Sequence, residues 1–282
     1  MEVVRASPTL RRRRLGLELR RLRETAGVTI EQVAERLECS ASKISRIERG
    51  HSGATPRDVR DILAVYNVHG AAAEELVQVA REARQKGWWH LYGTMLSGAY
   101  VGLEAAASAI HGYEAQVFSG LLQTADYARE MIRRARPDIE QAELDRRIHV
   151  RRVRQALLTQ QDPVQFWVVL DEAVFHRWVG DRPVMRQQLD HLLEMTERPN
   201  VTVQVLPFAF GAHAGMEGSF AILSYDGEVD PDVVFTENAT GGLFLEKDED
   251  LRRYHVIFDH LQASALPPDE SAVFIASRAK EM

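Results

Sequence analysis

Thr29-Ile30-Glu31-Gln32-Val33-Ala34-Glu35-Arg36-Leu37-Glu38-Cys39-Ser40-Ala41-Ser42-Lys43-Ile44-Ser45-Arg46-Ile47-Glu48-Arg49-Gly50 is the stretch that decides the fold of the first part of the chain. Thr29 and Gln32 have the spacing of a capping box: the hydroxyl takes the third amide and the glutamine reaches back. Val33, Ala34 and Leu37 give the helix that follows an apolar side. Glu38-Cys39 interrupts it. Ser40 then caps another short helix through Arg49, and Gly50 stops it. At about 100° per residue, Ile44 and Ile47 define the inward side of that helix. Ser42, Ser45, Arg46 and Arg49 fall outward. Small hydroxyls allow close approach to a groove, and arginine forks onto guanine or pairs with phosphate. On angle alone, the same face is equally the solvated side of an ordinary helix.

The flanks extend this pair into a bundle. Leu15, Leu19 and Leu22 make one stripe of a first helix, roughly Arg13 to Ala26, ended by Gly27. Thr55-Pro56 opens a fourth helix with proline at its first position, and Val59, Ile62, Leu63 and Tyr66 form its inner face. A fifth helix, about Ala71 to Gln85, closes the unit. Two short helices joined by a tight turn inside such a bundle are the setting of a helix-turn-helix. Arg11, Arg12, Arg13 and Arg14 form a run of cations just ahead of the first helix. They read either as a flexible arm that follows phosphates or enters a minor groove, or as a solvated tail.

Residues 14–66 resemble the XRE family, the lambda- and P22-repressor type of helix-turn-helix. The matching words are Leu22-Arg23-Glu24, Val33-Ala34-Glu35-Arg36-Leu37 and Ser42-Lys43-Ile44-Ser45-Arg46-Ile47-Glu48-Arg49-Gly50. The resemblance implies that Ala41, Ser42, Lys43, Ser45 and Arg46 approach base edges or phosphates. It also implies an internal ion pair between Arg23 and Glu48. Ile30 departs from the pattern, standing where many members carry a glutamine that supports DNA contacts.

Charge agrees with a polyanion-binding head. The 282 residues carry a net charge of -6. Residues 1–70 hold 14 Lys/Arg against 9 Asp/Glu, and residues 71–282 hold 21 against 32, so a basic head sits on an acidic body. No run approaches the ~18 apolar residues of a membrane span. No apolar signal core opens the chain, and Cys39 is the single cysteine. A reducing cytoplasm is the expected setting, with no disulfide and no multi-cysteine zinc site.

The rest reads as a second, mixed domain, with the boundary at 86/87. Gly87-Trp88-Trp89-His90-Leu91-Tyr92-Gly93 marks the change and is expected to pack at the junction, or else to form a binding surface. Leu103, Ala106, Ala107, Ile110 and Tyr113 share a helical face. Thr124 caps a helix carrying Tyr127, Ala128, Met131 and Ile132. A longer helical pattern runs from about Ile139 to Gln160. Gln165–Leu170 is a β-rich run, Pro183–Glu197 a helix, and Val201–Leu206 alternates as a strand. Phe220–Tyr225, Val233–Glu237 and Leu243–Leu245 are three more strands, followed by helices from Asp248 and after Pro268. This order predicts an α+β body with a largely antiparallel sheet behind an all-α head.

Motifs for chemistry are sparse in the body. No phosphate loop, dinucleotide fingerprint or His-Glu-x-x-His is present. No cofactor, metal or catalytic residue is assigned, and an enzyme is not expected. Asp171-Glu172 follows a strand and His213 lies in the loop Phe210–Gly215, but nothing in the sequence brings them together; Asp171 reads as a cap. Arg133, Arg134, Arg136, Arg146, Arg147, Arg151, Arg152 and Arg154 read as a salt-bridged face or partner interface, or as a second DNA surface.

Residues 87–277 resemble the C-terminal domain of actinobacterial WhiJ-like regulators, also described as antitoxin-like. The matching runs include Tyr100-Val101-Gly102-Leu103-Glu104-Ala105-Ala106, Gly120-Leu121-Leu122-Gln123-Thr124-Ala125-Asp126-Tyr127-Ala128-Arg129, and Pro199-Asn200-Val201-Thr202-Val203-Gln204-Val205-Leu206-Pro207-Phe208. The resemblance implies a transcription factor, often encoded beside a small partner protein, and the expected reading element is the third helix, about 40–49, on duplex DNA. A homodimer on a near-palindromic site is expected. The body is expected to bind a small protein from a neighbouring gene, or alternatively a small-molecule effector.

Overall fold

Thr29, Ser40, Thr55, Thr124 and Asp181 each place a side-chain oxygen on an amide of the helix that follows, so five helix starts are written into single residues. The structure, a computed structural model, describes residues 8–50, 52–84, 98–226 and 231–282. The chain divides into two compact units, Met1–Ala106 and Ala107–Met282.

The first unit holds α1 (Pro8–Thr25), α2 (Ile30–Arg36), α3 (Ala41–Glu48), α4 (Pro56–Val65), α5 (Ala71–Ala83) and α6 (Gly98–Glu104). Capping boxes at Thr29/Gln32 and Thr55/Asp58 fix the starts of α2 and α4. The sequence stripes meet in one core: Leu15 and Leu19 of α1, Val33 of α2, Ile44 and Ile47 of α3, and Val59, Ile62 and Leu63 of α4. Val77 and Ala80 of α5 complete it. α6 packs on α1, which carries this unit twenty residues past the expected 86/87 boundary. The aromatic run 87–93 lies outside the described residues.

The second unit is α+β around a six-stranded mixed sheet. Its strands are β1 (Ala109–Glu114), β2 (Gln165–Asp171), β3 (Val201–Leu206), β4 (Phe220–Ser224), β5 (Val233–Asn238) and β6 (Gly241–Leu245), in the order β3-β2-β1-β4-β5-β6. β4, β5 and β6 are joined antiparallel, and β4 runs antiparallel to β1. β1, β2 and β3 are parallel, which the expected largely antiparallel sheet omitted.

The helices of this unit are α7 (Ala125–Ala135), α8 (Gln141–Gln155), α9 (Ala173–His176), α10 (Arg182–Thr196), α11 (Asp248–Ser264) and α12 (Pro268–Glu281). α11 lays Leu251, Phe258 and Leu261 on one sheet face, against Tyr113, Phe220, Ile222 and Val234. α10 and α12 pack on each other and on β3. The outer edge of β3 is capped: the Val205 N–H donates to Ser271 Oγ at 3.0 Å, and the Leu266 N–H donates to Val205 O at 2.8 Å.

One helical expectation divides here. Leu103 lies in α6, but Ile110 and Tyr113 lie on β1, a central strand paired on both sides. A strand buried on both faces carries apolar residues at mixed spacings, and here they coincided with a helical period.

Candidate nucleic-acid interface

α3 is held from two sides. Behind it, Arg23 of α1 forks onto Glu48, with Nε to Oε1 at 2.7 Å and Nη2 to Oε2 at 3.0 Å. Glu48 is 3% exposed, so the pair belongs to the core. Arg23 also donates to Val28 O at 3.1 Å, and the Tyr66 hydroxyl reaches Glu48 Oε1 at 3.4 Å. The bond from Arg23 to Glu48 raises the guanidinium pKa further. In front, Lys43 Nζ donates to Asp58 Oδ1 at 2.7 Å, tying α3 to the first turn of α4. Burial alone would raise the Asp58 carboxyl; the bonds from Lys43 and Thr55 outweigh it and pull it down to about 2.

What remains outward on α3 is a short row. Ser42, Arg46 and Arg49 are exposed, while Ser45 and Ala41 are half-buried. Arg49 Nη2 donates to Ser45 Oγ at 2.7 Å, so this pair is bonded within the helix. Ser42 and Arg46 are the other exposed members of the row. Lys43 is already engaged, and Ala41 packs against the core. The Gln32 side chain is occupied in capping α2: its Oε1 accepts the Thr29 N–H at 2.9 Å, as the capping-box spacing anticipated.

The cationic run Arg11–Arg14 is neither arm nor tail. α1 begins at Pro8, so all four arginines lie inside the helix. Arg13 is 5% exposed and Arg11 Nε pairs with Glu82 of α5 at 3.2 Å. Arg12 is half-buried, and its guanidinium pKa is lowered by burial. Arg14 is the exposed member. A turn of arginines packed against the bundle supports the fold through its aliphatic stems as well as its charges.

The body assembles a polar cluster that the sequence did not reveal. Asp171, at the end of β2, accepts the Ala173 N–H at 2.9 Å, a turn bond just ahead of α9, whose N-cap position is Glu172 and not the expected Asp171. Its other oxygen takes the Tyr113 hydroxyl at 3.1 Å and lies 3.5 Å from His213 Nε2. His213 Nδ1 in turn accepts the Gly215 N–H at 3.2 Å. One ring nitrogen is thus bonded to the backbone, and the other faces the carboxylate. The arrangement pins the loop 211–218 against the strand ends. Gly215 lies flat on Tyr113, where an added Cβ would sit 2.6 Å from Cε1.

This loop forms one wall of a cavity of about 260 Å³, completed by the end of β5 and by Tyr254 and Ile257 of α11. The arginine-rich stretch is partly internal: Arg147 pairs with Glu143 at 2.7 Å, Arg136 approaches the same carboxylate at 3.8 Å, and Arg151 binds Gln123. Arg134, Arg146 and Arg152 are exposed. Among the described residues, no group of three or more His, Cys, Asp or Glu is placed to hold a metal, and no helix is long and apolar enough to cross a membrane.

The capped α2–α3 pair, the exposed row on α3 and the clamps behind it define a helix-turn-helix DNA-binding regulator. Residues 14–76 match the family described as "Helix-turn-helix domain". Residues 97–277 match the family described as "Domain of unknown function (DUF5753)", and the chain belongs to that family. No curated protein and no solved structure matches the chain.

Proposed function

We propose that the chain is a transcriptional regulator of the XRE type, WhiJ-like and antitoxin-like, working in the cytoplasm as a repressor. α3 lies in the major groove, and Ser42 and Arg46 read base edges or phosphates. The observation that carries this reading is the exposed Ser42–Arg46 row on a helix whose opposite side is fixed by the Arg23–Glu48 fork. Ser45 and Arg49 join the contact by exchanging their mutual bond for DNA, and Lys43 acts by holding α3 to α4. Two copies bind a near-palindromic site with the reading helices about one turn apart, some 34–36 Å. Selection of bound sequences from random duplexes tests this: two inverted half-sites at that spacing are expected, and a site without symmetry refutes the dimer.

The body modulates DNA binding by docking a small protein from a neighbouring gene. Exposed Trp178, Phe208, Phe210 and Met216 support this, because apolar side chains in water are common at docking surfaces. Native mass spectrometry of the chain co-expressed with flanking small reading frames tests it, and a stoichiometric protein adduct is expected. The cavity beside the pinned loop favours a second reading, a small-molecule effector. The reading assigns no enzymatic role.

A further inference from the structure

The cavity beside the pinned loop has walls of one chemical character. Ala214, Gly215 and residues 217–220, from the loop and the start of β4, form one side, Thr236, Glu237 and Asn238 another, and Tyr254 and Ile257 of α11 the third. Three of the loop's amides are committed elsewhere: Gly215 N–H to His213 Nδ1, Met216 N–H to His213 O, and Gly218 N–H to Gly215 O. The Asn238 side-chain oxygen takes Thr240 and Gly241. No Lys, Arg or His lines the cavity among the described residues, whereas two carboxylates, Glu217 and Glu237, do. Arg253, the cation at the Glu217 edge, is held loosely at 3.4 Å. The floor is aromatic: Phe220 and Tyr254 meet edge to face with centroids 5.0 Å apart.

We propose that this cavity binds a small organic ammonium ion, with the carboxylates of Glu237 and Glu217 at its rim and the ring of Tyr254 beneath it. The inference rests on the small-molecule reading of the body and names its ligand class. An anion would find committed backbone donors and two repelling carboxylates. A neutral apolar ligand would desolvate those carboxylates without return. A cation is attracted by both the carboxylates and the face of an aromatic ring. The potential extends inward: after burial itself, the charge of Glu237 is what raises the carboxyl of Glu114 to about 8. The wall is preformed, because His213 ties the loop to Asp171 and Gly215 rests on Tyr113.

The test uses the full chain with choline and putrescine as probes and 3,3-dimethyl-1-butanol as the neutral analogue of choline. Calorimetry is expected to show the cations binding about tenfold tighter than the alcohol, and more weakly as salt rises. Hydrogen exchange should slow in residues 214–220 and 250–258. Glu237→Gln, an exposed isosteric change, should weaken choline about tenfold without altering exchange elsewhere, and Tyr254→Ala should do the same. Equal affinity for the alcohol, or no effect of Glu237→Gln, overturns the ligand class while leaving a small-molecule effector standing. Protection confined to other segments overturns the site. An absence of binding to every probe, with a protein adduct present in native mass spectra, overturns both the site and the small-molecule reading.

Discussion

Replacing Glu48 with alanine strands the Arg23 guanidinium. In the native first unit that group is 12% exposed along its side chain and makes a two-pronged bond to Glu48. After the change it keeps only Val28 O at 3.1 Å and the solvent-facing Glu24 carboxylate at 3.6 Å. Breaking a buried pair by removing one partner costs about 3–5 kcal/mol, and these residual partners place Glu48→Ala near the lower end, about 3 kcal/mol. For a helical unit of this size that lowers the melting temperature by roughly 12–24 °C. The double variant Arg23→Met/Glu48→Met removes both charges together, so it should recover to within about 1 kcal/mol of the native protein. The two units need not melt together, so the assay must report on the first alone. Hydrogen exchange through a urea series, read on peptides from residues 13–50, does so. A loss under 1 kcal/mol in Glu48→Ala, or a double variant as weak as the single one, refutes the reasoning.

Other consequences follow from single contacts. Gly16→Ala drives a Cβ to 2.5 Å from Ile47 O and 2.6 Å from Glu48 O. Backbone atoms cannot step aside, so about 3 kcal/mol is expected to be lost, read by the same exchange assay. Glu114 holds its proton in the folded body up to about pH 8 but releases it near 4.5 when unfolded. The body should therefore lose stability as pH rises between those values. Glu114→Gln should flatten that decline and gain about 2 kcal/mol at pH 8, allowing for the part of the group that water reaches. A decline equally steep in the variant contradicts the assignment. Arg11→Ala should leave DNA affinity and its salt slope unchanged, because Arg11 pairs with Glu82. A slope lower by about 0.9 would restore the arm.

The head was legible because its signals are local. Capping oxygens at Thr29, Ser40 and Thr55 and stripes of leucine and isoleucine act within one or two turns, where sequence order and spatial order coincide. The body was legible in its antiparallel half, whose strands β4, β5 and β6 follow one another with short connections. β1 was not, because its partner β2 lies some fifty residues away and its buried positions imitate a helix. The Tyr113–Asp171–His213 cluster gathers residues from β1, from the end of β2 and from a loop after β3. Only the parallel pairing of β1 with β2 brings Tyr113 beside Asp171, and no spacing in the sequence encodes it. A histidine two residues before the glycine that it caps was the one local sign. The arginine run misled for a different reason. Four consecutive cations resemble a solvated arm, but at helical spacing they divide between exposed Arg14 and buried Arg13.

The most direct measurement is the affinity of Arg46→Ala for the selected site and for a scrambled duplex, taken across a salt titration. Arg46 is exposed on α3 and lies outside the apolar core of the bundle; its carbonyl, which the substitution keeps, accepts the Ser52 N–H at 3.2 Å. The account predicts an unchanged exchange profile for the first unit and a loss of about 1–3 kcal/mol on the selected site. Binding to the scrambled duplex should weaken far less. Native affinity and specificity in Arg46→Ala would contradict α3 as the reading helix.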